Sequence, residues 1–466
     1  MRWREAFAAV PMTRVAVVAP AELLRTALVR VADAGCLDID RLVPAADQPA
    51  ASAAQALQRL ALPDSPEARL LETPPDIATL VEERRADLLA GETQLADLSA
   101  QVVDRDGVAA LLGWAPTATL PTLAARLRPA GATVVTLPAP RGVLPPTVVD
   151  RPGPGRTFAP LVNTYATTPY VDVDVSVPAG LAYVVMFGAM FADVGHGVLL
   201  FAGAVVVRLG LVRRLAPLWP HWAFLAAAGV STVAFGLVFG ECFGPTGLVP
   251  AGLVAPLEQP VAMLLGGIAL GAVLLAGAFA LGTVNRFREG GWALALYAPS
   301  GAAGALLFAA LGTAAAAWYA HSATLATVAA GSGAAGLALA YAGLFAAAGG
   351  GWAGAAQATI ETVDLLVRLA ANVVSFARIA AFGLTHAVLG SIVWAATVGL
   401  WHRGAAGSSA AVVVFALGNT VAFALAALVA GVQALRLEYY ELFSRVFQME
   451  GRPYRPWHVP LASTKE

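Results

Sequence analysis

Long apolar stretches separated by short polar connections fill the second part of the chain. They cover residues 177–207, 218–240, 260–284, 291–318, 322–349, 357–400 and 408–447. Because an α-helix needs about 20 mostly apolar residues to cross a bilayer, the pattern predicts an α-helical integral membrane domain over residues 166–466. The last two stretches are longer than a bilayer requires, which predicts two long, tilted helices at the C-terminal end.

The first apolar stretch contains Asp193 and His196, and it is compatible with one helix or with a tight hairpin of two. The arginines distinguish these cases, since cytoplasmic connections of membrane proteins carry an excess of basic residues. A hairpin leaves only Arg403 in the connections on the outer side. It places the other connecting arginines on the cytoplasmic side: Arg208, Arg213, Arg214, Arg286, Arg288, Arg445, Arg452 and Arg455. We therefore expect eight transmembrane helices with both termini in the cytoplasm.

Residues 1–165 have the mixed pattern of a water-exposed domain. The run TRVAVVAP, ELLRTALVRVADAG and CLDID predicts strand, helix and strand, and LLGWAPTATLPTLAARLRPAGATVVTLP repeats this order. Helical stretches near 50–62 and 76–103 lie between the repeats. We expect an N-terminal α/β two-lobed cytoplasmic domain whose lobes are joined by a helical hairpin stalk. One compact α/β domain stays open as the alternative.

Composition narrows the possible functions. Hydrophobic residues make up 58% of the 466 residues, charged residues 13%, and the mean hydropathy is +0.70. These values exclude a disordered chain, and the net charge of −1 lacks the basic excess of a nucleic-acid-binding protein. The two cysteines lie far apart and predict neither a disulfide nor a metal site. Because residues 1–165 contain no GxGxxG, P-loop or HExxH motif, we expect no nucleotide site, cofactor or metal there.

The start of the chain predicts no secretory signal. The segment MRWREAFAAVPM is basic, but its apolar run is too short and its cleavage pattern too poor for a signal peptide. Met12 is an alternative start to Met1. We therefore expect the N-terminal domain to stay in the cytoplasm.

Arg378 is the clearest polar exception within an apolar stretch. More than a dozen mainly apolar residues flank it on each side, and arginine at the bilayer centre costs about 2.5–3.5 kcal/mol on insertion scales. On a continuous helix, Asp364 lies roughly 21 Å towards the cytoplasm, His386 lies roughly 12 Å the other way, and Ser375 sits one turn below. The spacing predicts a broad stripe of ionisable groups around Arg378.

Two further polar pairs fall in the apolar stretches. Gln433 and Arg436 are three residues apart and share a helix face, although Arg436 is close enough to the helix end to snorkel instead. Asp193 and His196 are flanked by glycines in MFGAMFADVGHG. They form either a proton-handling pair or a polar turn between two short helices. For His386, a hydrogen-bonded core histidine is the alternative.

Four motifs in a fixed order give the chain a resemblance to a known family. They are MFADVGHG, VFGECFG, SFARIAAFGLTHA and QALRLEYYELFSRVFQMEGRPYRPW, and GWAP opens the second repeat of the N-terminal domain. On these motifs the chain resembles the membrane subunit of rotary V-type (V/A-type) ATPases, called subunit a in eukaryotes and subunit I in prokaryotes, in a short prokaryotic form. The resemblance implies a location in the cell membrane of a prokaryote.

The resemblance also implies a mechanism. The family's subunit is the stator beside a rotating ring of small membrane subunits, each bearing one carboxylate, and two half-channels admit protons from opposite sides. Arg378 matches the family's essential arginine, which forces the ring carboxylates to deprotonate, and Arg436 matches its second arginine. The remaining polar residues are then candidates for the half-channels: Asp193, His196, Asp364, Ser375, His386 and Gln433.

The implied partners are the ring, the peripheral-stalk subunits, the central-stalk cap subunit and membrane lipid, but no nucleic acid. Ala426 departs from the pattern, because some relatives carry a glutamate ten residues before the second arginine. The residues of the outer half-channel therefore stay open. An independent secondary transporter or channel, and a membrane-anchored scaffold, remain alternatives from the residues alone. The translocated ion and the direction of ATP turnover are also open.

Overall fold

The computed structural model describes residues 9–40, 52–60, 66–140, 142–148, 157–250, 253–447 and 450–462. The described chain forms two compact units. We call Ala9–Val149 with Gly451–Glu466 the sheet domain, and Asp150–Glu450 the helical domain. The prediction assigned everything after residue 165 to the membrane, whereas the structure assigns the C-terminal segment to the sheet domain. Met1, one of the two candidate starts, lies outside the described residues.

The sheet domain is built on one antiparallel sheet. The strand order is β2–β4–β1–β5, and β3 pairs with β4 at the side. The central strand β1 pairs with β4 and with β5, so that Val15 lies between Gly113 and Thr136. The strands are β1 (Met12–Pro20), β2 (Asp38–Ile39), β3 (Val103–Arg105), β4 (Val108–Pro116) and β5 (Thr133–Leu137).

Five α-helices accompany the sheet within the described parts of this domain. They are α1 (Leu24–Ala34), α2 (Ser52–Arg59), α3 (Ile77–Glu82), α4 (Ala86–Ser99) and α5 (Leu120–Leu127). Helix α1 follows β1 and α5 follows β4, so each sequence repeat is a strand–helix–strand unit. Gly35 after α1 and Gly131 after α5 are both left-handed, with φ of +57° and +66°. These glycines close equivalent turns in the two repeats.

The sheet contradicts the prediction of two lobes. Strands of both repeats alternate in a single sheet, because β4 lies between β1 and β2, and β1 lies between β4 and β5. A lobe with only two strands would leave unpaired strand edges and would be marginally stable in water. Interlocking the repeats pairs both edges of β1. The alternative of one compact α/β domain therefore describes the sheet domain.

The C-terminal segment completes the sheet domain. Val459 is 1% exposed and belongs to the same hydrophobic core as Leu37. The main-chain N–H of Trp457 donates to the carbonyl oxygen of Leu37 at 2.9 Å. Arg452 pairs with Asp38, which is itself buried. The segment is thus a structural part of this domain.

The helical domain contains a series of helices, most of them long and apolar. Their bounds are α6 (Ala159–Asn163), α7 (Ser176–Phe191), α8 (Val194–Leu209), α9 (Trp222–Phe239), α10 (Pro260–Tyr297), α11 (Ala302–Tyr319), α12 (Ala323–Ala347), α13 (Gly351–Ser375), α14 (Ala377–Trp401), α15 (Gly404–Leu437) and α16 (Ser444–Val446). A π-helix, Glu438–Phe443, joins α15 to α16.

Six helical segments of the described chain are long and apolar enough to cross a membrane. They are Arg213–Phe239, Pro260–Tyr297, Ala302–Tyr319, Ala323–Ala347, Gly351–Trp401 and Gly404–Val446. Helices α7 and α8 are apolar but have only 16 residues each. The chain is therefore a multi-pass membrane protein, while the count of eight spans stays a prediction.

The segment α10 consists of two helices separated by a kink at Gly290 and Gly291, where Gly291 has φ +68°. The kink lies at the predicted break between the apolar stretches 260–284 and 291–318. The predicted continuous helix through Asp364 and His386 is interrupted at Phe376. Glycine accounts for the kink, because it adopts positive φ without steric cost. Phe376 is fully buried, so packing against neighbouring helices accompanies the interruption.

Candidate functional site

Arg378 lies in the first turn of α14, directly after the interruption at Phe376. Phe376 packs so closely on α10 that a Cβ at Gly271 would lie 2.0 Å from its Cγ. This contact fixes the start of α14 against its neighbour. Arg378 is half-buried, and its guanidinium makes no hydrogen bond or ion pair at contact distance with any described residue.

Glu441 is the buried carboxylate that interacts electrostatically with Arg378. Only 9% of it is exposed, and Arg445 and Arg436 also contribute to its electrostatic surroundings. Asn372, with its amide oriented to satisfy both neighbours, donates to Glu441 at 2.9 Å and accepts from Arg445 at 2.8 Å. Asn372 thus joins Glu441 to Arg445, and Arg378 has no carboxylate at ion-pair distance among the described residues.

Two more residues complete this arrangement, which we call the arginine cluster. The Ser375 hydroxyl lies beside Glu441 and donates to the carbonyl oxygen of Ala371 at 3.0 Å. The Arg445 guanidinium lies over the ring of Phe279, 5.4 Å from its centroid. The arginine cluster comprises Asn372, Ser375, Arg378, Arg436, Glu441 and Arg445.

The π-helix around Glu441 concentrates buried charge. Glu438 is 1% exposed and Glu441 9% exposed, although they are three residues apart. Oε2 of Glu438 has no hydrogen-bond partner among the described residues. The wider turn of a π-helix is often found at functional sites. The sequence predicts this segment as a motif and Arg445 as a connecting arginine, but it does not predict Glu438, Glu441 or Arg445 as site residues.

No hydrogen bond or ion pair joins Asp364, Gln433 or Arg436 to Arg378 among the described residues. Asp364 is exposed on α13 and pairs with Arg368 at 2.7 Å, rather than with Arg378. Arg436 is exposed, and Gln433 is half-buried with an Oε1 that has no hydrogen-bond partner in the described chain. Ala426 packs against the hydrophobic core. The structure therefore does not join Asp364 and Arg378 in one contact network.

A second polar cluster forms at the break between α7 and α8. Asp193 has an extended backbone there, and it caps α8 by accepting the main-chain N–H of His196 on Oδ1 at 2.8 Å. Its Oδ2 accepts the N–H of Gly244 at 3.1 Å. Gly244 has φ +86°, and a Cβ there would lie 2.6 Å from the carbonyl oxygen of Gly390 on α14. The loop after α9 can therefore contact Asp193 and α14 at once.

His386 of α14 completes this group, which we call the His–Asp cluster (Asp193, His196 and His386). The ring centroids of His196 and His386 are 5.3 Å apart. One potential ligand atom from each of the three residues lies within 4.8 Å of the others. Phenylalanine rings surround the imidazoles at centroid distances of 5.2–5.7 Å: Phe191, Phe243 and Phe423. Such surroundings strengthen electrostatic interactions.

Several buried atoms around the His–Asp cluster have no hydrogen-bond partner among the described residues. They are both ring nitrogens of His196, Nδ1 of His386 and Oδ1 of Asn419 on α15. Asn419 interacts with His196 and donates its amide to Phe415 at 2.9 Å. Nδ1 of His196 lies 3.6 Å from Oδ1 of Asp193. Because such atoms are costly to bury, the cluster is suited to take up a proton or a cation.

Comparison with known proteins confirms the resemblance seen in the motifs. Residues 98–211 match the V-type ATPase 116kDa subunit family. The chain is 28% identical to A-type ATP synthase subunit I of Halobacterium salinarum over 388 residues, which cover 67% of this chain and 51% of the relative. It is 27% identical to A-type ATP synthase subunit I of Aeropyrum pernix over 362 residues, again 67% of this chain and 51% of the relative.

A eukaryotic protein is similar over a shorter region. The V-type proton ATPase 116 kDa subunit a 3 of Homo sapiens is 26% identical over 153 residues, or 30% of this chain and 18% of the human protein. The chain spans about half the length of the two archaeal relatives. The chain is similar to the V-type ATPase 116kDa subunit family and to A-type ATP synthase subunit I.

Proposed function

We propose that the chain is the stator subunit of a rotary V/A-type ATPase and couples proton translocation to ATP hydrolysis or synthesis. Homology to subunit I and the multi-pass helical domain support this assignment. The observation that carries it is Arg378, a half-buried arginine at a helix interruption that has no close counter-ion among the described residues.

An arginine without a fixed counter-ion suits a site that mobile carboxylates pass. The guanidinium stays protonated at any physiological pH, so it favours the ionised form of a carboxylate beside it. In the proposed mechanism, a protonated ring carboxylate approaches Arg378, releases its proton into one half-channel and passes in the ionised form. It takes a proton from the other half-channel after passing. The fixed charge of Arg378 also opposes direct proton movement between the half-channels.

The arginine cluster keeps Arg378 available for this task. Glu441 is the described carboxylate that interacts electrostatically with Arg378, and Glu441 is hydrogen-bonded by Asn372, which also binds Arg445. Glu441 is therefore occupied by other partners. A ring carboxylate that reaches Arg378 does not have to displace a strong ion pair.

We assign the half-channels from the predicted orientation. Asp364, Ser375, Gln433 and Arg436 belong to the cytoplasmic side, where the basic connections lie. The His–Asp cluster belongs to the outer side, since Ala426 offers no carboxylate there. The proposed partners are a ring of carboxylate-bearing membrane subunits, peripheral-stalk subunits, the central-stalk cap subunit and membrane lipid. The location is the cell membrane of a prokaryote, with both termini in the cytoplasm.

The test is ATP-driven proton pumping by the assembled complex in liposomes. We expect Arg378→Ala and Arg378→Gln to abolish pumping, because neither side chain stabilises an ionised ring carboxylate. Arg403→Ala is the matched control: Arg403 is an exposed arginine between α14 and α15, and its removal should leave pumping near the wild-type rate.

Two results would contradict the proposal. Coupled pumping by an assembled Arg378→Ala complex would remove Arg378 from the mechanism. Gradient-driven solute flux by the purified chain alone would favour an independent transporter or channel. Complex assembly should be measured for every variant, so that loss of pumping is not confused with loss of the complex.

A further inference from the structure

The His–Asp cluster gathers donors that bind metal ions. We propose that Asp193, His196 and His386, together with Oδ1 of Asn419, form a binding site for one divalent first-row transition-metal ion such as Zn²⁺. Histidine nitrogens and carboxylate oxygens are common Zn²⁺ ligands, and imidazole also suits copper, iron and nickel. The four groups come from α8 with its cap, from α14 and from α15.

The geometry is close to that of a four-coordinate site. With ligand bonds of about 2.0–2.2 Å, tetrahedral ligand atoms lie roughly 3.3–3.6 Å apart. Nδ1 of His196 and Oδ1 of Asp193 are already 3.6 Å apart, and the three-residue group spans no more than 4.8 Å. Bringing ligand atoms from at most 4.8 Å to 3.6 Å apart requires them to approach by no more than 1.2 Å, the difference between the two distances.

The support around the ligands is also that of a metal site. Two main-chain N–H groups, from His196 and Gly244, fix the Asp193 carboxylate. Such outer contacts orient metal ligands. His386 is 5% exposed and Asn419 7% exposed, so solvent contributes little to either. Their unpartnered Nδ1 and Oδ1 atoms gain a partner when a cation binds.

A cation explains the cluster better than a trapped water molecule. Water could satisfy the unpartnered polar atoms, but it brings no positive charge. Asp193 is 1% exposed and has no arginine or lysine at ion-pair distance in the described chain, and Glu241 is a second buried acidic residue near it. Isolated buried carboxylates are costly, so a divalent ion gains most from this position.

Metal binding would oppose proton transfer through the same groups. An imidazole nitrogen that ligates a metal has no lone pair left for a proton. Bound metal should therefore inhibit pumping, and this consequence rests on the proposed function. The binding itself does not, because it depends only on the His–Asp cluster and Asn419.

The test is a Co²⁺ titration of the purified full-length chain in detergent after treatment with a chelator. We expect the visible absorption of four-coordinate Co²⁺ to saturate at one ion per chain and to disappear when Zn²⁺ is added. His386→Gln should weaken binding more than about 100-fold, beyond the effect of losing an outer contact. His402→Gln should bind normally, because His402 is exposed at the end of α14.

Two further variants define the site. Cys242→Ser should keep the spectrum, since Cys242 lies near Asp193 but outside the group of ligand atoms. Asn419→Ala should weaken binding, and it tests the site independently if His386→Gln fails to fold. Absence of saturable four-coordinate binding in the wild-type chain, or unchanged affinity in a folded His386→Gln or Asn419→Ala variant, would overturn the proposal. Pumping by Arg378→Ala would contradict the proposed function but not metal binding.

Discussion

Charged side chains have different surroundings in the two domains. In the sheet domain, Arg452 bridges two carboxylates, at 3.1 Å from Asp38 and 3.3 Å from Asp40. In the helical domain, Asp193 has no arginine at ion-pair distance and Arg378 has no close counter-ion among the described residues. The sheet domain therefore uses ion pairs to join its segments, whereas in the helical domain Asp193 is held by hydrogen-bond donors and His196 rather than by an arginine or lysine, and Arg378 has no close counter-ion in the described chain.

Not every charged residue of the helical domain lacks an oppositely charged partner. Arg286, which is 2% exposed, pairs with Glu289 on the next turn of α10. This domain can therefore satisfy a buried arginine when structure alone requires it. Because unpaired buried charges are costly, those at Arg378 and Asp193 indicate places that receive a mobile charged group. If this is correct, removing a charged group that has buried partners should destabilise the fold more than removing one from an exposed pair.

Removing Glu441 should have the largest effect on stability. Glu441→Ala leaves Arg445, only 8% exposed, with Asn372 and a ring contact but no close carboxylate. Asn372 joins Glu441 to Arg445, and leaving such buried partners unsatisfied typically costs about 1–3 kcal/mol, and more for charged groups. The free energy of unfolding should be measured on the purified full-length chain in detergent micelles.

Asp364→Ala is the matched control for Glu441→Ala. The Asp364 and Arg368 side chains are 50% and 70% exposed and form a pair one turn apart. Exposed pairs of this kind contribute about 0.3–0.5 kcal/mol. Equal losses for the two variants would contradict the interpretation of Glu441 as a buried structural anchor of the arginine cluster.

Sequence patterns predicted the local features of the fold well. The apolar stretches correspond to long helices, since hydrophobic length is a property of contiguous residues. The pairing of β1 with β4 joins segments about 100 residues apart. A repeat of strand, helix and strand is equally compatible with two lobes or one sheet, because the repeat does not specify which strand edges meet.

The candidate site was predictable to a similar extent. Arg378 stands out because an arginine in an apolar run is a local anomaly. Asp193 and His196 stand out for the same reason, but their approach to His386 depends on how α7, α8 and α14 pack. The sequence does not predict Glu441 as a site residue, because it lies near the end of an apolar stretch, where charged residues are common. Its burial depends on the π-helix, which the apolar period does not encode.

Gly35 tests how the C-terminal segment is held in the sheet domain. It has φ +57°, and a Cβ there would lie 2.7 Å from Nδ1 of His458 in the C-terminal segment. Gly35→Ala therefore adds displacement of His458 to the cost of about 1–2 kcal/mol for a left-handed residue. We expect faster hydrogen exchange in both α1 and residues 457–459 of the full-length chain.

Gly107→Ala separates backbone strain from this contact. Gly107 has φ +79°, but nothing lies within 4 Å of the position that its Cβ would occupy. It should show only the left-handed cost of about 1–2 kcal/mol, with unchanged exchange at residues 457–459. If both variants release the C-terminal segment equally, the contact between Gly35 and His458 does not hold it.

The smallest expected effect is on the pH dependence of the sheet domain. Burial raises the pKa of Asp38, and the Arg452 guanidinium opposes this increase. The folded state therefore binds the proton of the Asp38 carboxyl group more tightly than the unfolded state does. This proton binding contributes its full stabilisation of the fold below the ordinary aspartate pKa of about 3.9. It is lost as the pH rises through the folded-state pKa.

Arg452→Ala removes the opposing cation, so it should raise the pKa of Asp38 further and shift the loss of stability to higher pH. The carboxyl resonance of Asp38 and the exchange rates of neighbouring amides should be followed between about pH 3 and pH 7 in the full-length chain. Asp38→Asn should remove this pH-dependent part of the stability both in the wild-type chain and in the Arg452→Ala variant. A midpoint that moves to lower pH in Arg452→Ala would mean that Arg452 does not stabilise the ionised carboxylate. The contrast between paired charges in the sheet domain and unpaired charges in the helical domain would then lose its main example.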